Sequence, residues 1–118
     1  MKILKHTTQK PWGKFCDLAL QEKKWHLKIL VIKKGERLSL QAHTHRSELW
    51  VVAEGRAQVQ KGDEISILAT KEVIFIEKKE MHRITALTDV VIIELSFGDH
   101  KERDIKRFSD DYGRGENK

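Results

Sequence analysis

The fold is decided by residues 35–55, which read GERLSLQAHTHRSELWVVAEG. Apolar and polar side chains alternate through residues 38–42, and this period of two is typical of a strand with one buried face. After a polar segment, an apolar run at 49–53 ends at Glu54 and Gly55, where the chain is expected to turn. The stretch therefore predicts two β-strands joined by a polar connection.

Similar patterns recur over most of the chain. The predicted strands are residues 25–31, 38–42, 49–53, 56–60, 64–68, 73–76, 81–87 and 90–97. Short strands separated by polar turns indicate an all-β sandwich or barrel. No convincing helical periodicity occurs before residue 98, and the polar tail beyond it is expected to hold one helical turn near residues 102–107.

Length and composition exclude several classes of protein. The chain has 118 residues, which suits one domain, and its hydrophobic share of 39% argues against wholesale disorder. The longest apolar stretches are far shorter than the roughly 20 residues of a membrane helix, and the first six residues hold no signal-peptide core. Cys16 is the only cysteine, so no internal disulfide forms. We expect a cytoplasmic protein without a membrane partner.

The net charge of +5 is concentrated near the N-terminus. Residues 1–37 hold ten Lys and Arg against three Asp and Glu, but these cations are scattered and accompany no RNA-reading or recognition-helix motif. Solvated surface, or attraction of a small phosphorylated ligand, therefore explains the charge better than a nucleic-acid partner.

Four side chains form a candidate metal site. Gln41 and His43 share one face of their strand, Glu48 opens the next apolar run, and His82 opens a later strand. An amide oxygen, two imidazoles and a carboxylate are a normal ligand set for a divalent first-row metal with open positions. The alternative is that surface strands carry these residues by chance. His6, His26 and His100 lie outside any ligand spacing and are expected at the surface.

The spacing of these residues resembles the first motif of the cupins. Five residues separate Gly35 from Gln41, four separate His43 from Glu48, and six separate Glu48 from Gly55. Gln41 stands where most cupins have the first histidine. The second cupin motif normally has a proline and a glycine before its histidine, and here Glu77 and Lys79 occupy those places.

Further motifs narrow the resemblance. They are KPWG at residues 10–13, RLSLQ at 37–41, RSELWVV at 46–52, DIKRF at 104–108 and DDYGR at 110–114. Together they are similar to the C-terminal cupin domain of type II mannose-6-phosphate isomerases, which is commonly fused to a mannose-1-phosphate guanylyltransferase. The resemblance implies a single cupin domain over residues 1–118, with a core at about 10–114, folded as a double-stranded β-helix (jelly roll) barrel. These 118 residues carry no transferase sequence, so nucleotidyl transfer is not expected of them.

The resemblance also implies a function. It is that of a metal-dependent aldose–ketose isomerase that interconverts mannose 6-phosphate and fructose 6-phosphate, with one divalent ion (zinc, manganese, cobalt, nickel or iron). The ion would polarise substrate oxygens, and a base would move a proton between C2 and C1. The candidate bases are His45 and Glu94; the latter interrupts an apolar strand and faces either the pocket or solvent. The candidate phosphate ligands are Arg37, Arg46, Arg107 and Arg114, because guanidinium binds phosphate through paired hydrogen bonds.

Several alternatives remain open. His45 replaces Gln41 as a ligand if its strand continues that far; otherwise it lies at the pocket mouth or in an exposed loop. The altered second motif and the missing transferase also suit a non-catalytic metal- and sugar-binding cupin. Two histidines with a carboxylate suit, less well, a metal-dependent oxygenase.

We further expect a homodimer that uses the first dozen residues or the strand at 25–31.

Overall fold

The computed structural model describes residues 1–113, and within that range the chain forms eleven strands and no helix. The strands are β1 (Lys2–Lys10), β2 (Gly13–Gln21), β3 (Trp25–Ile32), β4 (Leu40–Ala42), β5 (Arg46–Glu54), β6 (Ala57–Lys61), β7 (Glu64–Leu68), β8 (Val73–Ile76), β9 (His82–Ala86), β10 (Val90–Gly98) and β11 (Lys106–Ser109). The all-β prediction is confirmed. The described part offers no helix of the length and apolarity needed to cross a membrane.

The strands are arranged in two antiparallel sheets. One sheet has six strands in the order β1-β2-β3-β10-β5-β8, and the other has five in the order β11-β4-β9-β6-β7. Strands that are distant in sequence are neighbours in both sheets, as in β3 beside β10 and β4 beside β9. Consecutive strands such as β4 and β5 belong to opposite sheets, so residues a few positions apart face each other across the barrel.

The inner faces of β3, β5 and β10 change from apolar to polar along their length. At one end Ile32, Val52 and Ile92 are fully buried and form the core together with Val59 and Ile84 of the other sheet. Burial of one such side chain contributes about 1.5–3 kcal/mol. Toward the other end, the buried inward-facing residues are Lys28, Arg46, Glu48, Glu94 and Ser96. One end of the barrel is therefore a packed core and the other is a polar interior.

The expectation that His26 and His100 are surface residues is wrong. The alternate residues of β3 that are most buried include His26 and Lys28, whereas the apolar residues between them are only half-buried. His26 stacks on the ring of His100 with centroids 4.0 Å apart, and its Nε2 lies 2.7 Å from Asp17 Oδ1. Both faces of β3 are at least half-buried. The alternation of apolar and polar residues in its sequence therefore cannot show which face points into the barrel. His6 is exposed, as expected.

Segments near both ends of the described range extend the sheets. The sequence did not predict β1 and β2, which are paired along most of their length. The helical turn expected near residues 102–107 is also wrong: the segment turns and then forms β11, which pairs with β4. Pairing supplies the edge of β4 with backbone partners, a requirement that no local pattern reveals. The C-terminal segment thus passes over the polar end of the barrel.

Candidate metal centre

His43, Glu48 and His82 meet inside the polar end of the barrel. His43 directly follows β4, and His82 begins β9, which pairs with β4. Glu48 lies on β5 of the opposite sheet and points toward both imidazoles. His43 Nε2 is 3.7 Å from Glu48 Oε2, and His82 Nε2 is 3.7 Å from Glu48 Oε1. All three side chains are buried, and their ligand atoms lie within 4.8 Å of one another.

Hydrogen bonds orient both imidazoles. Nδ1 of His43 lies 2.6 Å from the carbonyl oxygen of Asp104, and Nδ1 of His82 lies 2.9 Å from that of Glu80. A carbonyl oxygen can only accept, so Nδ1 donates in each ring, and Nε2 of each neutral ring presents a lone pair; that of His43 lies 3.3 Å from Arg46 Nη2. Burial, followed by the charges of Arg46 and His82, lowers the pKa of His43 to about 3. His43 therefore stays neutral, the form that binds metals.

The carboxylate of Glu48 provides the test of whether a metal fits. Its Oε2 accepts from Arg46 Nε at 3.1 Å and from Ser96 Oγ at 3.4 Å. Its Oε1 is buried, has no hydrogen-bond partner among residues 1–113, and faces the lone pair of His82 Nε2. Two ligand atoms that each lie about 2.1 Å from one ion are about 3.0–3.4 Å apart. The observed distance of 3.7 Å between His82 Nε2 and Glu48 Oε1 is slightly longer. Two acceptors facing each other in a buried site fit a divalent cation.

The loop before His82 forms a tight turn, although Glu77 and Lys79 stand where the cupin motif has a proline and a glycine. Lys79 has φ of +67°, a left-handed conformation in which glycine is favoured. The turn is closed by Glu80 N donating to the Glu77 carbonyl, and Lys79 N donates to the His43 carbonyl at 2.6 Å. The loop thus links the two histidine-bearing segments although it lacks both the proline and the glycine of the cupin motif.

A cavity of about 80 Å³ adjoins two of the three ligands, His43 and Glu48. It is lined by Lys10, Trp12, Phe15, Lys28, Leu30, Leu38, Gln41, His43, Arg46, Glu48, Glu94, Glu102, Ile105 and Arg107. Six residues predicted for the site are therefore brought to this cavity or its wall: Gln41, His43, Arg46, Glu48, Glu94 and Arg107. Gln41 pairs in register with His82, and its amide nitrogen donates to Ser39 Oγ at 2.9 Å.

Glu94 faces the cavity rather than solvent. It is 6% exposed, and its Oε1 accepts from Trp50 Nε1 at 3.1 Å. Its other oxygen lies 3.9 Å from Lys28 Nζ. Burial, and then the negative charge of Glu48, raise the pKa of Glu94, while Lys28 opposes that shift. The carboxyl group is thus fixed in place and is a stronger base than an exposed glutamate.

Lys28 and Glu102 are cavity residues that the sequence analysis missed. Lys28 is buried over the ring of Phe15, 4.3 Å from its centroid, and its Nζ lies 3.2 Å from Glu102 Oε2. The lysine places a positive charge between Glu94 and Glu102. A lysine between apolar residues on β3 was a possible signal, but its partner is 74 positions away.

Arg46 supports the ligand group directly. Besides its bond to Glu48, Nη1 donates to the Lys101 carbonyl at 2.9 Å, and Nη2 lies 3.3 Å from His43 Nε2. The guanidinium is 5% exposed and is committed on three sides. These contacts orient Glu48 and hold the C-terminal segment. They occupy the N–H donors with which the guanidinium would otherwise bind a phosphate.

Three other predicted residues are placed elsewhere or are not described. The structure does not bring His45 to the cavity: it is exposed, beside Asp99, Lys101, Arg103 and Asp104 on the surface. Arg37 forms a paired ion bridge with Asp111, away from the ligands. Arg114 lies outside the described residues.

Structural neighbours place the barrel among the cupins. KdgF from Halomonas sp. superimposes with a TM-score of 0.79 at 15% identity, covering 87% of this chain and 98% of that one. An RmlC-like cupin from Shewanella frigidimarina gives 0.76 at 21% identity, covering 84% and 87%. At these identities the likeness shows the fold alone, which is the expected cupin jelly roll.

Sequence relatives are more specific. Residues 2–110 match the family described as mannose-6-phosphate isomerase C-terminal. The chain is 35% identical to xanthan biosynthesis protein XanB of Xanthomonas campestris over 108 residues, which are 89% of its length. It is 36% identical both to mannose-1-phosphate guanylyltransferase ManC of Salmonella typhimurium and to alginate biosynthesis protein AlgA of Pseudomonas aeruginosa. The chain spans only 22–23% of the length of these relatives.

Proposed function

The chain belongs to the mannose-6-phosphate isomerase C-terminal family, and from that premise we propose that it interconverts mannose 6-phosphate and fructose 6-phosphate with a bound divalent metal. The observation that carries the proposal is the buried group of His43, Glu48 and His82 beside a cavity that also holds Glu94. This constellation lies wholly within one cupin domain, so the proposal does not depend on the additional length of the relatives.

The isomerisation moves a proton between C2 and C1 and shifts the carbonyl the other way. A divalent ion held by His43, Glu48 and His82, with Gln41 at the same cavity wall, would polarise the oxygens on these carbons. Zinc, manganese, cobalt, nickel and iron all suit this donor set. Arg46 keeps Glu48 aligned, and the two backbone carbonyls keep both Nε2 atoms directed at the ligand group.

Glu94 is the residue best placed to carry the proton. Its carboxylate is held in the cavity by Trp50 and has one oxygen directed toward Lys28. A base works best when its pKa lies near the operating pH, and the raised pKa of Glu94 moves it in that direction. His45, the other candidate from the sequence, is exposed outside the cavity. We therefore assign proton transfer to Glu94.

Cations on the cavity wall provide a place for the phosphate. Lys10, Lys28 and Arg107 line the same cavity, and Lys10 and Arg107 come from opposite ends of the described chain. Because Arg46 is committed to Glu48 and Arg37 to Asp111, we assign phosphate binding to Arg107 and Lys10. The expected result is that Arg107→Met raises the KM for mannose 6-phosphate about tenfold or more with a much smaller change in kcat.

A coupled assay with mannose 6-phosphate tests the function. Metal-free protein is supplied with each divalent ion in turn, and wild type is compared with Glu94→Gln and with Glu64→Gln, an exposed control on β7. We expect Glu94→Gln to lower kcat at least about a hundredfold while metal content stays unchanged, and Glu64→Gln to match wild type. Absence of turnover in wild type with every ion would contradict the proposal.

A non-catalytic metal- and sugar-binding role is the second candidate. The cavity volume of about 80 Å³ is small beside the roughly 300 Å³ or more of typical ligand pockets. Glu102, Ile105 and Arg107 of the C-terminal segment form part of its wall, so a sugar phosphate enters if that segment moves outward. Calorimetry that detects metal-dependent binding of mannose 6-phosphate without any conversion would favour this role.

A further inference from the structure

A buried lysine in the cavity is paired with an exposed carboxylate. The side chain of Lys28 is 6% exposed and that of Glu102 is 65% exposed, yet Lys28 Nζ lies only 3.2 Å from Glu102 Oε2. A second carboxylate, Glu94, lies 3.9 Å from the same Nζ, but it is buried and its other oxygen accepts from Trp50. Of these two carboxylates, Glu102 is therefore the one that is free to move.

The two members of this ion pair respond differently to separation. The carboxylate of Glu102 is largely in water and loses little when the pair opens, as is usual for an exposed partner. The ammonium group of Lys28 is enclosed by the barrel, and a buried charge that loses its partner is strongly unfavourable. Glu94 is a poor substitute, because burial raises its pKa and it lies farther from Nζ. Another anion can thus replace Glu102, but a neutral group cannot.

The carboxylate of Glu102 lies among the cations of the cavity. Partial burial acts to raise the pKa of this carboxyl, but the charges of Lys28, Arg46 and Lys10 lower it below its ordinary value. Lys10 and Arg107, which we assign to the phosphate, line the same cavity as Glu102. A phosphate and a carboxylate both accept hydrogen bonds from ammonium and guanidinium groups. The position of the Glu102 carboxylate is therefore one that suits a phosphate.

Glu102 lies in a turn whose flanks are fixed by other contacts. Asp104 N donates to the Lys101 carbonyl at 3.0 Å and closes the turn. The Lys101 carbonyl also accepts from Arg46 Nη1 at 2.9 Å, and the Asp104 carbonyl lies 2.6 Å from His43 Nδ1. None of these contacts uses the side chain of Glu102, so it can swing outward while the turn and the metal ligand stay in place. Because Glu102 forms part of the cavity wall, this movement opens the wall.

We propose that Glu102 occupies the anion-binding position of Lys28 in the closed cavity and that the phosphate of the substrate takes its place. This inference rests on the proposed function, and it adds Lys28 to the phosphate ligands Lys10 and Arg107. A phosphate monoester dianion restores the countercharge that Lys28 loses with Glu102, whereas an unphosphorylated sugar restores none. The exchange therefore selects phosphorylated sugars over neutral ones.

Titration calorimetry with inorganic phosphate at about pH 8, where phosphate is mostly a dianion, tests the exchange. Wild type is compared with Glu102→Gln, Lys28→Met and Asp99→Asn. Asp99→Asn is the matched control: it removes a carboxylate from the same segment, but one that pairs with exposed Lys101 and does not line the cavity. We expect Glu102→Gln to bind phosphate about fivefold more tightly and Asp99→Asn to match wild type. Lys28→Met should bind phosphate at least about tenfold more weakly.

The double variant Lys28→Met/Glu102→Gln shows whether the two residues act together. If Glu102 competes with phosphate for Lys28, Glu102→Gln should not change phosphate affinity once Lys28 is methionine. An equal gain in both backgrounds overturns the proposal. So does a Glu102→Gln protein that binds phosphate no more tightly than Asp99→Asn, a comparison that stands even if Lys28→Met fails to fold.

The readout is binding, so it separates this inference from the proposed function. Tighter phosphate binding by Glu102→Gln that depends on Lys28 supports the exchange even if the protein shows no isomerase turnover. Turnover by wild type together with an unchanged phosphate affinity of Glu102→Gln refutes the exchange alone. A Glu102→Gln protein that gains as much affinity for mannose as for phosphate also overturns it.

Discussion

Replacement of His82 by glutamine should change the stability of the metal-free protein little and lower that of the metal-bound protein. The amide nitrogen of glutamine reaches about the same position as imidazole Nε2, which lies 3.7 Å from Oε1 of Glu48. That oxygen has no hydrogen-bond partner in the described part of the chain. Unlike the imidazole lone pair, the amide can donate to that oxygen. The variant also loses the hydrogen bond that Nδ1 of His82 donates to the Glu80 carbonyl. One hydrogen bond of about 1 kcal/mol thus replaces another, and the metal-free variant is expected to lie within about 1 kcal/mol of wild type.

A bound metal should make wild type the more stable of the two proteins. An ion at a hundred times its dissociation constant stabilises the folded state by about 2.7 kcal/mol. For a chain of this length about 1 kcal/mol corresponds to about 4 °C, so wild type should gain about 10 °C in Tm. His82→Gln loses one of the two imidazole ligands and should gain less than about 3 °C at the same concentration.

Differential scanning calorimetry of metal-free and metal-supplemented protein makes the comparison. His6→Gln carries the same chemical change at an exposed position of β1 and should behave as wild type in both conditions. The reasoning fails if His82→Gln and wild type show equal increases in Tm, or if no divalent ion raises the Tm of wild type.

Two further predictions concern strain and pH. Lys79→Gly should raise the free energy of unfolding by about 1 kcal/mol, because Lys79 is held at φ +67°. Lys78→Gly, at a neighbouring position without a positive φ, is the control and should lower that free energy by about 0.5–1 kcal/mol. Urea unfolding measures both. Burial, and then the positive charge of Lys28, lower the pKa of His100 to about 2. Below about pH 6.5, His100 therefore takes up a proton in the unfolded chain but not in the folded protein. Between pH 6.5 and 4 the unfolding free energy of metal-free protein should therefore fall by up to about 1.4 kcal/mol per pH unit through this group, and His100→Gln should show a shallower fall; an identical slope would contradict the assignment.

The parts of the fold that the sequence predicts well are those with a strong local pattern. Residues 35–55 carry the period of two and the spacing from Gln41 to Glu48, and both follow from a strand, a connection and a second strand. Side chains only a few positions apart meet because β4 and β5 belong to opposite sheets. The meeting of His43, Glu48 and His82 was therefore within reach of sequence reasoning.

Contacts over long separations that no motif marks could not be predicted. Lys28 meets Glu102 across 74 positions, and His26 stacks on His100. On β3 the outer face is as apolar as a core, so the pattern does not show that the polar residues point inward. The short β11 has no periodicity of its own and forms because the edge of β4 needs a partner.

The fate of the C2 hydrogen of mannose 6-phosphate tests the central claim most directly. Protein loaded with the ion that gives the largest increase in Tm is incubated in ordinary water with substrate deuterated at C2, and the products are followed by NMR. Proton carriage by the Glu94 carboxylate predicts fructose 6-phosphate with deuterium at C1 in part of the product and with the remainder lost to solvent. Unchanged mannose 6-phosphate would contradict the isomerase function, and conversion by Glu94→Gln at the wild-type rate with the same distribution of deuterium would contradict proton transfer through Glu94.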